Sequence, residues 1–216
     1  MVKKRNLTLE KIIEASISLI NEKGLHALTM RALAAKLGVQ ASAVYWHVKN
    51  KEELLQQLSS VISKQVNFPK QEWDWKMKMM FLANESKEAM SSIRSGPEIM
   101  MQTIPSDPYR LEIIEYMLNV LIEVGFTPLK ALEIANLINN YTILYTMDEA
   151  LQMEQLSDPA FHEHIQGFFV SLKDKYPNFF QAMQEQVQNE LSAQKNKDFV
   201  SGLQAILDGY ELALHN

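Results

Sequence analysis

Apolar residues recur along this chain at intervals of three and four, the spacing that lines one face of an α-helix, and no segment offers a credible strand. The first run places Ile13, Ile17 and Ile20 on one face with Ile12 and Leu19 beside them, between Thr8 as N-cap and Gly24 as terminator. Met30, Leu33, Ala34 and Leu37 form the next, opened by Thr29 and closed by Gly38, where a positive φ suits a tight turn. After Val39 a short third run turns Val44 and Val48 inward. A fourth carries Leu54, Leu58, Val61 and Ile62 from the capping pair Asn50 and Glu53 to about Val66, before Phe68-Pro69 interrupts it.

Beyond Pro69 the pattern predicts helices at about 73–92, 97–103, 107–124, 127–153, 159–175 and 177–194, and a last one at 199–214. The breaks have a chemical basis in Ser95-Gly96-Pro97, in Pro105 to Pro108, in Gly125 as a C-cap, and in Thr127-Pro128 as cap and first helical residue. The predicted fold class is all-α. A three-helix head over residues 1–50 holds two short helices about a glycine turn, the helix-turn-helix arrangement. A connecting helix over 51–67 begins at Lys51 and ends in the body near Asn67, a rod that can carry movement between the two or serve as a plain linker. The larger helical body spans 68–216.

Two body helices carry more apolar surface than one core can use. Between Leu129 and Leu151, apolar or aromatic residues occur on nearly all sides, so that helix should be buried twice. The last helix repeats Phe199, Leu203, Ile206, Tyr210 and Leu214, with Gly202 and Gly209 on a flank. A glycine inside a helix costs up to about 1 kcal/mol, which close backbone approach would offset. A two-fold contact using Leu144, Tyr145, Phe199, Leu203, Ile206 and Tyr210 would bury both stripes in a homodimer; the alternative is an intrachain bundle.

Of 216 residues 47% are hydrophobic, enough for a substantial core, and there are no cysteines. Disulfides, thiolate metal sites and cysteine nucleophiles are thereby excluded, in keeping with a reducing compartment. No run reaches the roughly 18 apolar residues of a membrane span, and the basic stretch Met1 to Leu7 has no apolar segment behind it, so the expected location is cytoplasmic and no membrane partner is expected. A net charge of -5 disfavours a DNA partner until its distribution is seen. Residues 1–51 hold nine Lys or Arg against three acids, a local +6, leaving -11 on the remaining 165. A basic head on an acidic body is the footprint of localised phosphate binding.

The outward side of the third helix carries the matching chemistry. Tyr45, Trp46 and His47 stand beside Lys49 and Lys51, offering hydroxyl, indole, imidazole and ammonium donors to phosphate oxygens, while the small Ala41, Ser42 and Ala43 let a helix sit deep in a major groove. Double-stranded DNA is the partner these residues suit. Lys3, Lys4 and Arg5 form a basic arm, read equally as a solvated terminus or a minor-groove contact.

At these positions the chain resembles the tetracycline-repressor (TetR) family of bacterial transcription regulators. The resemblance lies in Thr29, Arg31, Leu33, Ala34, Leu37, Gly38 and Val39, followed by Tyr45 through Glu52. Less specific matches to that family's C-terminal domain run through Trp75, Arg94 with Gly96, Thr103 with Pro105, Gly125-Phe126, and Phe199 with Gly202-Leu203 and Gly209. The resemblance implies a homodimeric, ligand-responsive repressor on a palindromic operator. Thr29, Tyr45, His47 and Lys51 would hold phosphates with Trp46 at the same edge, Arg31, then Gln40 and Ser42, would read bases, and Ala41 and Ala43 would give apolar contact. Where tetracycline-binding members place histidines toward a magnesium chelate, this chain has Asn67 and Met100, which argues against a hard magnesium complex as effector.

The methionines Met77, Met79, Met80, Met90, Met100, Met101 and Met117 gather in the first body helices, either as core filler or as the flexible lining of a pocket. On the second reading, an apolar or aromatic effector meets Met90, Met100, Met117, Leu121, Leu137 and Tyr141, with sparse polar contacts from Asn67, Ser86 and Thr103. Catalysis finds no candidate residues. His162 and His164, two apart, lie on different sides of a helix, and no HExxH, G-x-S-x-G or phosphate-cradling glycine loop occurs, so neither a metal, a cofactor nor an enzymatic activity is expected. The other reading kept open is a small-molecule-binding or interaction protein whose head, with its Ala41-Ser42-Ala43 trio, lacks specific DNA recognition.

Overall fold

The structure, a computed structural model, describes residues 7–156, 167–168, 170, 172–191 and 195–214. Two compact units divide the chain, residues 1–147 and 148–216. Among the described residues the ordered elements are helical and there is no strand. The basic arm at Lys3 to Arg5, and His162 and His164 with most of the helix expected at 159–175, fall outside the described residues.

The first unit opens with α1 (Leu9–Lys23), capped by the Thr8 hydroxyl, which accepts from the Lys11 N–H. Its buried face differs from the predicted one. Ile12, Ser16, Leu19 and Ile20 are buried while Ile13 and Ile17 are half-buried, because the Ser16 hydroxyl donates to the Ile12 carbonyl at 2.7 Å and so enters the core without an unpaired polar atom. Gly24 ends α1 with φ 79°, and a single 3₁₀ turn over Leu25–Ala27, not anticipated from the sequence, leads to α2 (Met30–Leu37). α3 follows at Ala41–Tyr45 and α4 at Lys51–Ser63. α4 is shorter than the pattern predicts. Past Ser63 the chain tightens into i,i+3 bonds, Gln65 N–H to Ile62 and Val66 N–H to Ser63, which still leave Val66 buried.

α4 packs on α1 in the head and on α5 (Trp75–Ser91), α6 (Gly96–Met101) and α7 (Pro108–Val124) in the body. Leu54, Leu55, Leu58 and Ile62 supply this two-sided burial. The α5 to α6 corner is unusually close, since a Cβ on Gly96 would stand 2.0 Å from the Met90 carbonyl oxygen, which only glycine permits. Gly125, at φ 118°, ends α7 and lets Phe126 fold back with its N–H on Leu121 and its ring buried. α8 (Pro128–Leu156) buries Ala131, Ile134, Ala135, Ile138, Thr142 and Thr146 along one side, while Leu129, Leu132, Leu137 and Leu144 are exposed on the other.

The second unit holds α9 (Pro177–Leu191) and α10 (Lys195–Leu214). On α10 the buried residues are Phe199, Leu203 and Leu207, whereas Ile206 and Tyr210 are half-buried. Gly209 is exposed, and a Cβ added there meets nothing within 4 Å, so the close approach expected at this glycine is not made among the described residues. No helix among the described residues is long and apolar enough to cross a membrane.

Candidate nucleic-acid interface and effector cavity

The head is set by local chemistry. The Thr29 hydroxyl accepts from Ala32 N–H at 3.1 Å and starts α2. Gly38 stops it in the left-handed region (φ 67°, ψ 34°), with its own N–H on Ala35 and the Val39 N–H on Ala34. Nothing lies within 4 Å of a Cβ built on Gly38, so the demand for glycine there is conformational rather than steric. That turn aims α3, whose Val44 and Val48 are fully buried and act as its anchors.

With the valines inward, the opposite side must face out. Trp46 is 87% exposed and Tyr45 49%, a large apolar surface left to solvent in a small head. Ser42, His47, Lys49, Arg31, Gln40 and Thr29 are also exposed, with Ala41, Ala43 and Lys51 half-buried around them. Of the ten sequence-predicted DNA-contacting residues, carried by α2, α3, the start of α4 and the segments that flank them, seven are exposed and three half-buried. The cap of α4 completes the edge: Asn50 Oδ1 accepts from Glu53 N–H at 2.8 Å, and Glu53 Oε2 accepts from Lys49 N–H at 2.7 Å, one residue earlier than the reciprocal bond of an ordinary capping box. Of the head's cations, Lys36 is already committed. It binds Glu22 at 2.7 Å and holds that carboxyl below its usual range. Glu10 is also lowered, by its main-chain N–H, by the Thr8 hydroxyl and by the nearby His47.

In the body, a cavity of about 330 Å³ lies within the first unit. One wall is Met100, Met101 and Thr103, from α6 and the loop after it. Arg110 of α7 and Asn139, Asn140, Ile143 and Leu144 of α8 complete it. Arg110 is buried, and its Nη1 donates to the Thr103 carbonyl and hydroxyl at 3.2 Å each, while Nη2 reaches the Met100 carbonyl at 3.5 Å. Burial pushes this guanidinium below its ordinary range, partly offset by the neighbouring Asp107 carboxylate.

Of the residues predicted for the effector, the structure brings Met100 and Thr103 to this cavity. Met90, Met117 and Leu121 are buried in the packed interior, Ser86 and Tyr141 are half-buried, and Leu137 is 40% exposed. Asn67 is exposed and donates to Glu85 Oε2 from both its main-chain and side-chain nitrogens. Aromatic side chains of the body are engaged in ring pairs, Trp73 with Phe81, Trp75 with Phe126 and Phe68 with Tyr116. Arg110, Asn139, Asn140 and Ile143 also line the cavity and are not among the sequence-predicted residues, and Leu144, expected at the dimer contact, lines it as well. For Arg110 a signal existed: a cation in the first turn of α7 opposes the helix dipole, which points to a role other than helix stability.

Comparison with known proteins agrees with this architecture. Residues 12–58 match the family described as bacterial regulatory proteins, tetR family, and residues 68–214 match the tetracyclin repressor-like C-terminal domain. The class D tetracycline repressor protein of Escherichia coli is 26% identical over 212 residues, covering 96% of this chain and 91% of that protein. The TetR crystal structure from Acinetobacter baumannii AYE superposes with TM-score 0.71 at 25% identity, covering 96% of this chain and 98% of that one. Streptomyces coelicolor ActR in complex with actinorhodin superposes with TM-score 0.77 at 22% identity, covering 95% of each chain, which speaks to the fold alone.

Head, connecting helix and all-α body together define a one-component regulator, with DNA reading and ligand sensing in one chain. The chain belongs to the TetR family, whose members are ligand-responsive transcriptional regulators and not enzymes.

Proposed function

We propose that the protein is a cytoplasmic, homodimeric repressor that holds a palindromic operator through two copies of its head and is released by a small, largely apolar effector. The observation that carries the reading is the exposed Tyr45-Trp46-His47 edge beside Lys49 and Lys51, set on buried Val44 and Val48. Residues 1–50 form the DNA-binding domain, 51–67 the connecting helix, and 68–216 the effector-binding and dimerisation domain. Thr29, Tyr45, His47 and Lys51 position the head on phosphates; Arg31, Gln40 and Ser42 face base edges. The exposed leucines Leu129, Leu132 and Leu137 of α8 support a dimer contact that runs on to Tyr145, since a second copy would cover what this chain leaves to water. Two-fold symmetry then requires recognition helices about 34 to 36 Å apart, and an effector acts by changing that distance through α4. To switch efficiently it must prefer the released state by several kcal/mol. Sequencing genomic fragments retained by the purified protein at rising salt tests this: a repressor keeps a palindrome-bearing subset, whereas a protein without specific recognition sheds all fragments together.

A further inference from the structure

We propose that the effector of this regulator is an apolar monocarboxylate whose carboxylate is received by Arg110 and whose body lies against Met100, Met101, Ile143 and Leu144. The inference rests on the regulator reading above and names the ligand class of its cavity. Arg110 is a cation brought into the interior, and the oxygens that meet it belong to neutral groups, the Thr103 carbonyl and hydroxyl and the Met100 carbonyl. The Asp107 carboxylate acts on it through space without an ion pair: its Oδ1 caps α7 at the Arg110 N–H, and its Oδ2 is buried with no hydrogen-bond partner among the described residues.

A guanidinium has five N–H donors in a fixed plane. The three contacts made by this group are all on Nη1 and Nη2, which leaves the guanidinium its Nε edge. Such an edge matches the two oxygens of a carboxylate in a bidentate contact, and the charge on both partners strengthens it. A buried cation whose hydrogen-bond acceptors are all neutral gains from an anion that arrives from solution.

The rest of the lining fixes the other end of the molecule. Asn139 and Asn140 bring amide donors without adding negative charge, and Met100, Met101, Ile143 and Leu144 offer flexible apolar surface. A volume of about 330 Å³ lies at the small end of ligand sites.

The test uses the full-length protein and a panel of aliphatic and aromatic monocarboxylates, each paired with its own primary amide, followed by titration calorimetry. Acids should bind at least 10-fold more tightly than their amides. Asn140→Asp, which sets a negative charge in the lining, should lower the preference for acid over amide at least 5-fold, and Arg110→Lys should erase it. Equal binding of acid and amide across the panel, binding by no acid at all, or an Asn140→Asp change that weakens acids and amides by the same factor would overturn the proposal. Retention of genomic fragments by the same samples separates the two readings: preferred fragments with no acid binding sink the ligand class alone, and acid binding with no preferred fragment sinks the regulator.

Discussion

The side-chain amide of Gln56, on α4, is matched to the main chain of Ile104 in the loop between α6 and α7. In the orientation its neighbours dictate, its nitrogen donates to the Ile104 carbonyl and its oxygen accepts from the Ile104 N–H, both at 3.1 Å. Ile104 follows Thr103, whose two oxygens hold Arg110, so one short path runs from the cavity wall to the helix that begins at Lys51.

Gln56→Ala should therefore cost about 1 kcal/mol of stability, the net scale of such hydrogen bonds. More tellingly, it should speed exchange of the Ile104 amide proton and weaken the effect of effector on operator release while leaving effector affinity nearly unchanged. Unaltered protection at Ile104 would remove Gln56 from the path.

The head allows two kinds of loss to be separated. Arg31→Ala should cost about 1 to 3 kcal/mol on the operator and relax specificity at one base pair, whereas Lys51→Ala should weaken operator and random duplex alike and lower the salt slope by about 1. Titrations of both duplexes at several salt concentrations distinguish these outcomes, and parallel losses for the two variants would contradict the division of roles.

Tyr116 packs its ring on Phe68 at a centroid distance of 5.2 Å, but its hydroxyl is buried without a hydrogen-bond partner among the described residues. Desolvation, and then Glu123, raise its pKa, so ionisation is disfavoured in the folded chain. Tyr116→Phe keeps the ring pair and removes the orphan group, and should be neutral or stabilising by up to about 1 kcal/mol in urea unfolding. A clear loss of stability would mean that the hydroxyl has a partner after all.

The Glu22 and Lys36 pair supplies a pH dependence with a definite sign. Because the folded carboxyl is lowered from 4.5, the pair stabilises above that value and its contribution disappears as the pH falls through the depressed folded value. The gap in thermal midpoint between the natural protein and Lys36→Met should be small, steady near neutrality, and should close in acid. A gap that stays constant to pH 3 would exclude the pair as its cause.

What the sequence disclosed was mostly local. Thr8, Thr29, Asn50, Gly38 and Gly125 act on main-chain atoms a few residues away, so the cap or turn could be assigned from their chemistry and spacing. The exposed aromatic edge was legible for the same reason, because buried Val44 and Val48 leave Tyr45 and Trp46 no inward direction. The inward side of α1 was misplaced because Ser16 reads as polar until its bond to Ile12 is known. The cavity was mostly hidden: Arg110 and Asn139 are 29 positions apart, and only packing shows which methionines face a void and which fill the core.

The central claim is that two copies of this chain present paired heads to one duplex. Sedimentation velocity with a retained palindrome, its single half-site and a scrambled duplex, at near-physiological salt, addresses it directly. Two protomers on the palindrome, with far weaker binding to the half-site and to the scrambled duplex, is the predicted result; one protomer per palindrome, or equal affinity for all three duplexes, would contradict it.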